Sequence, residues 1–204
     1  MLEGVLVLLA PVLLGYLGFR IKAGMRIRDA AVWAVLGVYA LWAADLLFFP
    51  LVVDPALRDM YRSDQMRYWV NLVPFATIGP QLHDLSSGTS LRQLLGNCGL
   101  LMPLGLLGPL VMPSLRRIRR LVLVAFAVSV GIELVQLLGT LPHFLRRSVD
   151  VDDVILNVAG ALLAWFVWAA CAAAWARVGS RSGWADGARD LSNNGIERTP
   201  SALD

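Results

Sequence analysis

This sequence is missing several patterns that identify common classes of soluble protein. It has no dinucleotide-binding or P-loop fingerprint and no internal repeat, so no cofactor is predicted. Its two cysteines, Cys98 and Cys171, fall in separate apolar segments and are expected to be small packing side chains rather than a disulfide. A net charge of only +3 gives little reason to expect a nucleic-acid partner. The strict alternation of polar and apolar residues found in barrel strands is also missing.

Apolar residues are abundant instead, at 57% of the 204 positions. Five stretches are long enough to cross a hydrocarbon core of about 30 Å, namely residues 2–19, 31–53, 91–113, 118–141 and 154–177. All five are predicted to be helices, because backbone polar groups in lipid must be paired within their own segment. The predicted fold is therefore all-α, an integral membrane bundle of about five transmembrane helices.

The distribution of arginine predicts the orientation of this bundle. Basic residues are concentrated in loops 20–30 and 114–120 and in the tail from Arg177, whereas loops 54–90 and 142–153 are poorer in them or balanced by aspartate. Because cytoplasmic loops are enriched in arginine and lysine, we predict that the N-terminus lies outside and the C-terminus in the cytoplasm.

Three parts of the chain follow from these spans. They are two N-terminal transmembrane helices at 1–60, an outer loop with three more transmembrane helices at 61–177, and a disordered cytoplasmic tail at 178–204. The first span opens with Met-Leu-Glu, which lacks the basic region of a signal peptide, and no small-residue cleavage site follows. We therefore expect it to remain attached.

The long loop at 54–90 has an interfacial composition and is expected on the outer leaflet. Its apolar and aromatic anchors are Tyr61, Met66, Tyr68, Trp69, Phe75 and Ile78. The run from Asn71 to Ile78 is a shaped turn, because Pro74 keeps Val73 extended and Asn71 can bond its own backbone. This turn either dips into the lipid headgroups or contacts a ligand. Ser90, followed by Gln93, resembles a capping box that opens the third span.

Polar residues inside the spans indicate a buried site. Asn97 lies in the third span, where it either forms a hydrogen bond to a neighbouring helix or contacts a ligand. In the fourth span, polar residues spaced i, i+4, i+7 and i+11 share one helix face, which is predicted to point away from lipid: Ser129, Glu133, Gln136 and Thr140.

Glu133 and Asp45 are carboxylates at membrane depth. Glu133 is either part of a structural pair or a functional group, and its candidate partners are Arg147, Asn97, Asn157 and Gln136. Asp45, in the second span, is predicted at a similar depth. It either forms a second wall of the cavity that Glu133 would line or holds helices together at a separate place.

An acidic motif opens the fifth span with Asp150, Asp152, Asp153 and Asn157. Asp150 or Asp152 can cap the helix, which accounts for one of the three carboxylates. Arg147 could pair with the others or hold a lipid phosphate. Further along the same face, Gly160 and Ala164 continue as a seam of small residues.

In this order, these segments resemble the VanZ-like family of small bacterial membrane proteins over about residues 68–170. The matching elements are Asn71-Leu-Val-Pro74-Phe75-x-Thr77-Ile78, Gly96-Asn97 with Pro103-Leu-Gly105, Glu133-x-x-Gln136, and Arg147-x-x-Asp150-x-Asp152-Asp153-x-x-x-Asn157-x-x-Gly160. Arg146 and Met102 depart from the pattern, where a Gly and an aromatic residue are expected. The resemblance makes 61–177 a VanZ-like domain and implies a bacterial plasma-membrane location. The founding member is associated with low-level teicoplanin resistance.

Two functions remain open. In the first, an outward polar pocket binds a membrane lipid or a lipid-linked envelope molecule and alters access of glycopeptides. In the second, the carboxylates serve a metal-assisted hydrolase or transferase acting on a lipid phosphate. The cluster has no nucleophile beside a base, so no catalytic residue is assigned, and a transporter is disfavoured because inverted repeats are missing. The candidate ligand-binding residues are Asn71, Pro74, Phe75, Asn97, Glu133, Gln136, Arg147, Asp150, Asp152, Asp153 and Asn157.

Overall fold

The chain folds into an all-α bundle, as predicted. The computed structural model describes residues 3–63, 70–145 and 147–194, with side chains described for 9–60, 70–145 and 147–178. The helices are α1 (Glu3–Lys22), α2 (Ile27–Phe48), α3 (Pro55–Ser63), α4 (Ile78–His83), α5 (Gly88–Leu100), α6 (Met102–Val111), α7 (Ile118–Thr140) and α8 (Val151–Asn194). A 3₁₀ turn, Pro113–Arg116, precedes α7, and two short strands, β1 (Val70–Asn71) and β2 (Val149–Asp150), pair in parallel.

Four helical segments are long and apolar enough to cross a membrane. They are α2, α5 continued by α6, α7, and α8 as far as Val178. At the position of the first predicted span lies α1, a 20-residue helix whose side chains are described only from Leu9 onward. The protein is thus a multi-pass membrane bundle by helix length and composition, while the count of five spans and the orientation stay predictions.

The third span is interrupted at Leu101, between α5 and α6. Pro103 has no N–H, so the carbonyl of Gly99 loses the donor that an uninterrupted helix would supply. The hydroxyl of Tyr39 on α2 approaches this carbonyl at 3.3 Å and the carbonyl of Leu100 at 3.1 Å. The third span is therefore broken at Leu101, and a side chain from α2 caps the break.

Small residues on α8 allow it to lie close to the third span. A Cβ atom added to Gly160 would overlap the backbone carbonyl of Cys98, and one added to Gly105 would overlap that of Ala161. Ala161 is fully buried and Ala164 nearly so. The predicted seam of small residues is confirmed, since only glycine at positions 105 and 160 permits the two helices to approach this closely.

Four helix termini meet at one end of the bundle, which we call the motif end. There α2 and α7 finish and α5 and α8 begin. The guanidinium of Arg147 donates to the carbonyl of Leu46 at 2.8 Å, which ties the chain before α8 to the end of α2. The backbone N–H of Val52 donates to the carbonyl of Phe144 at 2.9 Å, and Arg58 lies over the Phe144 ring. These contacts join the chain after α2 to the loop after α7.

The chain forms two compact units, residues 1–165 and 166–204. The first contains α1 to α7 and the start of α8, while the second contains the remainder of α8. This helix continues to Asn194, so it covers much of the segment predicted as a disordered tail. Residues 195–204 lie outside the described residues, as do Arg146, Met66, Tyr68 and Trp69 and the side chain of Tyr61.

The predicted capping box at Ser90 is wrong. Helix α5 begins two residues earlier, at Gly88, and Ser87 occupies the N-cap position without a capping hydrogen bond from its side chain. Ser90 therefore lies inside the first turn. The polar run before the helix allowed several starting points, and a sequence pattern alone does not choose among them.

Candidate functional site

The polar face of α7 points into the bundle. Ser129, Glu133, Gln136 and Thr140 are all buried, with exposed fractions between 0% and 7%. The spacing that predicted one shared face is confirmed. The Thr140 hydroxyl donates to the carbonyl of Arg147 at 3.2 Å, so the last turn of α7 also supports the approach to α8.

Asp152 is fully buried and holds the loop that follows β1. One carboxylate oxygen accepts the N–H of Phe75 at 2.6 Å, and the other accepts the N–H groups of Thr77 at 2.7 Å and Ile78 at 3.0 Å. Phe75 has a φ of 65°, a left-handed conformation that is uncommon outside glycine. The bond to Asp152 stabilises this backbone, since a carboxylate accepts charge-assisted hydrogen bonds from main-chain amides.

Asp150 holds the same loop from the neighbouring position. Its carboxylate accepts the side-chain N–H of Asn71 at 2.9 Å and the hydroxyl of Thr77 at 2.5 Å. It also accepts the N–H of Asp152 at 2.9 Å, so Asp150 caps the start of α8, as the sequence suggested. The β1–β2 pair places Asn71 opposite Asp150. We call this arrangement of Asn71, Thr77, Asp150 and Asp152 the loop clamp.

The loop clamp leaves the tip of the loop exposed. Leu72, Val73 and Phe75 are between 63% and 72% exposed, and Pro74 is exposed as well. Asn71 bonds its own backbone through the N–H of Val73 at 3.0 Å, which confirms the shaped turn. Phe75 and Pro74, both predicted as ligand contacts, line no cavity described below and form an apolar tip instead.

A cavity of about 430 Å³ lies beside the loop clamp at the motif end. We call it the polar cavity. Six of the predicted site residues line it: Asn97, Glu133, Gln136, Arg147, Asp153 and Asn157. The structure therefore divides the predicted site in two, because Asn71, Asp150 and Asp152 bind the loop whereas the other polar residues face a space that a ligand could occupy.

Backbone and amide contacts hold the carboxylates of the polar cavity in place. One oxygen of Glu133 accepts the N–H of Asp150 at 3.2 Å, and one oxygen of Asp153 accepts the side-chain N–H of Asn97. The predicted partners of Glu133 were side chains, so its bond to a backbone N–H was not foreseen. That donor lies in the loop clamp, which therefore links the exposed loop to the cavity wall.

Asn157 is almost fully buried, with 1% of its surface exposed, and it lines the polar cavity. Its amide donates to the hydroxyl of Ser129 at 2.8 Å. Its Oδ1 is shielded from solvent and has no hydrogen-bond partner among the described residues. A buried acceptor without a donor is costly, so this wall of the cavity is suited to a ligand or water molecule that can donate.

Two arginines line the polar cavity, and the sequence interpretation included only one. Arg147 lies beyond ion-pair distance of the described carboxylates, although its charge acts on Asp153, and its guanidinium binds the Leu46 carbonyl. Arg92 was missed. It could have been found by spacing, because Arg92, Gly96 and Leu100 fall at i, i+4 and i+8 of α5 and all line the cavity.

Asp45 does not line the polar cavity. It is half-buried, and its Oδ1 is shielded from solvent with no hydrogen-bond partner in the described part of the chain. Its neighbours Leu46 and Leu47 do line the cavity. Of the two roles left open for Asp45, a second wall of the polar cavity is therefore wrong.

The carboxylates do not form a combined metal site in this arrangement. Both oxygens of Asp150 and of Asp152 already accept hydrogen bonds, which leaves Glu133 and Asp153 as the acids that face the polar cavity. Among the described residues, no three His, Cys, Asp or Glu side chains are grouped so that they could hold a metal ion. The geometry favours binding of a molecule with both donor and acceptor groups.

One protein family matches most of the chain. The sequence model of the VanZ/LLP1 family matches residues 7–172, so the match begins within α1 and ends in α8. No curated protein and no solved structure gives a match. The family match includes α2, whose Leu46 and Leu47 line the polar cavity, as well as every residue of the loop clamp. The chain therefore belongs to the VanZ/LLP1 family of membrane proteins.

Proposed function

We propose that this VanZ-like protein binds the head of a lipid-linked or amphiphilic molecule in its polar cavity, on the outer side of the bacterial plasma membrane. The observation that carries this proposal is the cavity itself. It lies between membrane-spanning helices, and its wall contains two arginines, two carboxylates and a buried amide oxygen that has no donor among the described residues. Polar side chains at such positions are costly in a membrane, and they commonly mark a binding site.

The position of the cavity supports a lipid-derived ligand. It lies at the ends of membrane-spanning helices and includes the apolar residues Leu47, Leu100 and Ile132 in its wall. A ligand that enters from the bilayer can keep its chain in contact with apolar surface while its head reaches the polar residues. A fully water-soluble ligand would gain nothing from that part of the wall.

Rigid support of the polar wall also favours binding. Glu133 and Asp153 are each held by a hydrogen bond, and Arg147 is held by the Leu46 carbonyl. Pre-organised groups lose less conformational entropy when a ligand binds, so a site of this size could discriminate between lipid heads. We infer that occupancy of this site alters sensitivity to teicoplanin-type glycopeptides, as the family resemblance implies.

Analysis of co-purified lipids tests the proposal. The protein and its Glu133→Gln and Arg92→Gln variants would be purified in bilayer nanodiscs, and bound lipids would be quantified by mass spectrometry. Arg119→Gln is the matched control, because Arg119 is exposed and lies at the opposite end of α7 from the cavity. We expect both cavity variants to lose a lipid that the control retains. Equal lipid profiles in all four proteins would contradict the proposal.

Glycopeptide sensitivity provides the second measurement. In a sensitised host, the wild-type gene should raise the teicoplanin concentration needed to stop growth, and Glu133→Gln should abolish that increase at equal protein levels. The substitution preserves shape and hydrogen bonding but removes the negative charge. Full protection by Glu133→Gln would limit Glu133 to a structural role.

A further inference from the structure

A second cavity of about 500 Å³ adjoins the polar cavity deeper in the bundle. We call it the apolar cavity. It lies among α1, α2, α6 and α7, and its lining is almost entirely apolar, with polar groups only on Tyr16, Tyr39 and Trp33 among the lining side chains. Leu47, Leu100 and Ile132 belong to the walls of both cavities. The two spaces therefore share a boundary of three apolar side chains.

Polarity changes in a fixed order along the walls. On α5, Arg92 lies near the motif end, Asn97 about 7.5 Å deeper and Leu100 about 12 Å deeper, at 1.5 Å per residue. On α7, Gln136 and Glu133 are followed in the deeper direction by Ile132 and then by Val128 of the apolar cavity. The order on both helices is polar or charged side chain first and apolar side chain last.

This order indicates which chemical groups the ligand carries, and in which sequence. Arg92 and Arg147 are both exposed at the mouth, and a guanidinium suits a phosphate group because its planar fork can make two parallel hydrogen bonds. Between them and the apolar cavity lie acceptors: the carboxylates of Glu133 and Asp153 and the Oδ1 of Asn157, which has no partner in the described part of the chain. Glu133 and Asp153 each already accept one hydrogen bond, so the Asn157 oxygen is the acceptor for which a donor on the ligand matters most.

The apolar cavity has room for one chain. If a methylene group occupies about the volume of a water molecule in the liquid, roughly 30 Å³, the cavity takes about 16 chain carbons. A second chain of the same length would exceed this volume and would lie against the open side of the cavity. The volume therefore matches a lipid with a single long chain better than a diacyl lipid.

We propose that the two cavities form one binding site for a single-chain phospholipid that carries a free hydroxyl between its chain and its phosphate. This inference rests on the proposed function, in which the polar cavity binds a lipid head. The phosphate lies at Arg92 and Arg147, the hydroxyl donates to Asn157 or a neighbouring carboxylate, and the chain passes Leu47, Leu100 and Ile132 into the apolar cavity. A lysophospholipid has these groups in this order.

Three probes separate the parts of the proposal. They are palmitoyl lysophosphatidic acid, hexadecyl phosphate, which lacks the hydroxyl, and dipalmitoyl phosphatidic acid, which has a second chain in its place. Binding of each to the full-length protein in phosphatidylcholine nanodiscs would be measured by native mass spectrometry. We expect the lysolipid to bind about tenfold more tightly than hexadecyl phosphate, because it alone supplies a donor to the buried acceptors. Phosphatidic acid lacks the hydroxyl and also adds a second chain, so it should bind more weakly than hexadecyl phosphate as well.

Two variants test the role of the apolar cavity. Ala40→Phe adds a ring at a residue that lines it, whereas Ala31→Phe makes the same change on the same helix at a residue that lines neither cavity. Ala40→Phe should lower lysolipid binding at least tenfold, and Ala31→Phe should leave it unchanged. Equal binding by these two variants, or equal binding of the three probes, overturns the single-chain proposal.

One further variant separates failure of this inference from failure of the proposed function. If Arg92→Gln weakens all three probes equally and none is preferred, the polar cavity binds lipid heads but the order of groups proposed here is wrong. If no probe binds above its level in empty nanodiscs and co-purified lipids are unaffected by Arg92→Gln, both proposals fail.

Discussion

Asp152 shows how one side chain can determine the shape of a distant loop. Its two carboxylate oxygens accept three backbone N–H groups from residues 75–78. It has no exposed surface, so water cannot replace it as an acceptor. The amino group of an asparagine would have to face at least one of these N–H groups, which places donor against donor.

We predict that Asp152→Asn lowers the free energy of unfolding by about 2–3 kcal/mol, since a buried donor is left unsatisfied and a charge-assisted bond is lost. Thermal unfolding in detergent would measure the change. Asp84→Asn is the matched control, because Asp84 is exposed and, within the described residues, its carboxylate accepts a hydrogen bond only from the hydroxyl of Ser86. Equal melting temperatures for the two variants would argue against the loop clamp.

Arg147 offers a test of geometry at the mouth of the cavity. We predict that Arg147→Lys reduces lipid retention several-fold with unchanged expression, because lysine keeps the charge but cannot bind both the Leu46 carbonyl and a phosphate through a planar fork. The measurement is the amount of co-purified lipid. Arg120→Lys, at the exposed start of α7, is the control and should behave as wild type. Retention equal to the control would remove Arg147 from the site.

The residue types of the site could be predicted from sequence, but their division into two groups could not. Asp150, Asp152 and Asp153 lie within four positions of one another, and each is an acid before an apolar run. Their roles differ because a loop more than 70 residues away supplies hydrogen-bond donors to two of them and not to the third. Spacing along one helix contains no information about that loop.

At the level of helices, the contact between α8 and the third span depends on glycine. We predict that Gly160→Ala destabilises the protein by about 1–3 kcal/mol, because the added methyl group meets the Cys98 backbone, which cannot move aside as a flexible side chain could. Gly131→Ala, in α7, is the control, since a Cβ there would meet no atom within 4 Å. The melting temperatures of both variants would be measured in the same detergent. Equal values would contradict close packing at the seam.

The end of the second predicted span differs from the end of its helix. The second span was predicted at 31–53, whereas α2 covers Ile27–Phe48. Residues 49–53 are apolar but leave the helix, because Pro50 has no N–H to donate and Val52 pairs with Phe144. Hydropathy therefore identified the apolar run, while the end of the helix depended on a contact with a distant loop.

For the whole molecule, cysteine labelling tests the predicted orientation of the bundle in the membrane. We predict that Asp64→Cys reacts with a membrane-impermeant thiol reagent in intact cells and that Asp186→Cys reacts only after permeabilisation, because the arginine-rich loops are expected inside. Both would be made in a background without Cys98 and Cys171, and the background protein is the control for labelling. The reverse pattern would place the polar cavity on the cytoplasmic side.

The loop clamp also has a consequence for biosynthesis. The ribosome makes residues 71–78 long before it reaches Asp150 and Asp152, so the nascent loop first emerges without its acceptors. Its three N–H groups can be satisfied as they are in the finished protein only when the start of α8 has been inserted. The last span is therefore needed to fix the loop of residues 71–78, which is synthesised before the third span. Chains that terminate before α8 would present this loop to membrane proteases in an open form.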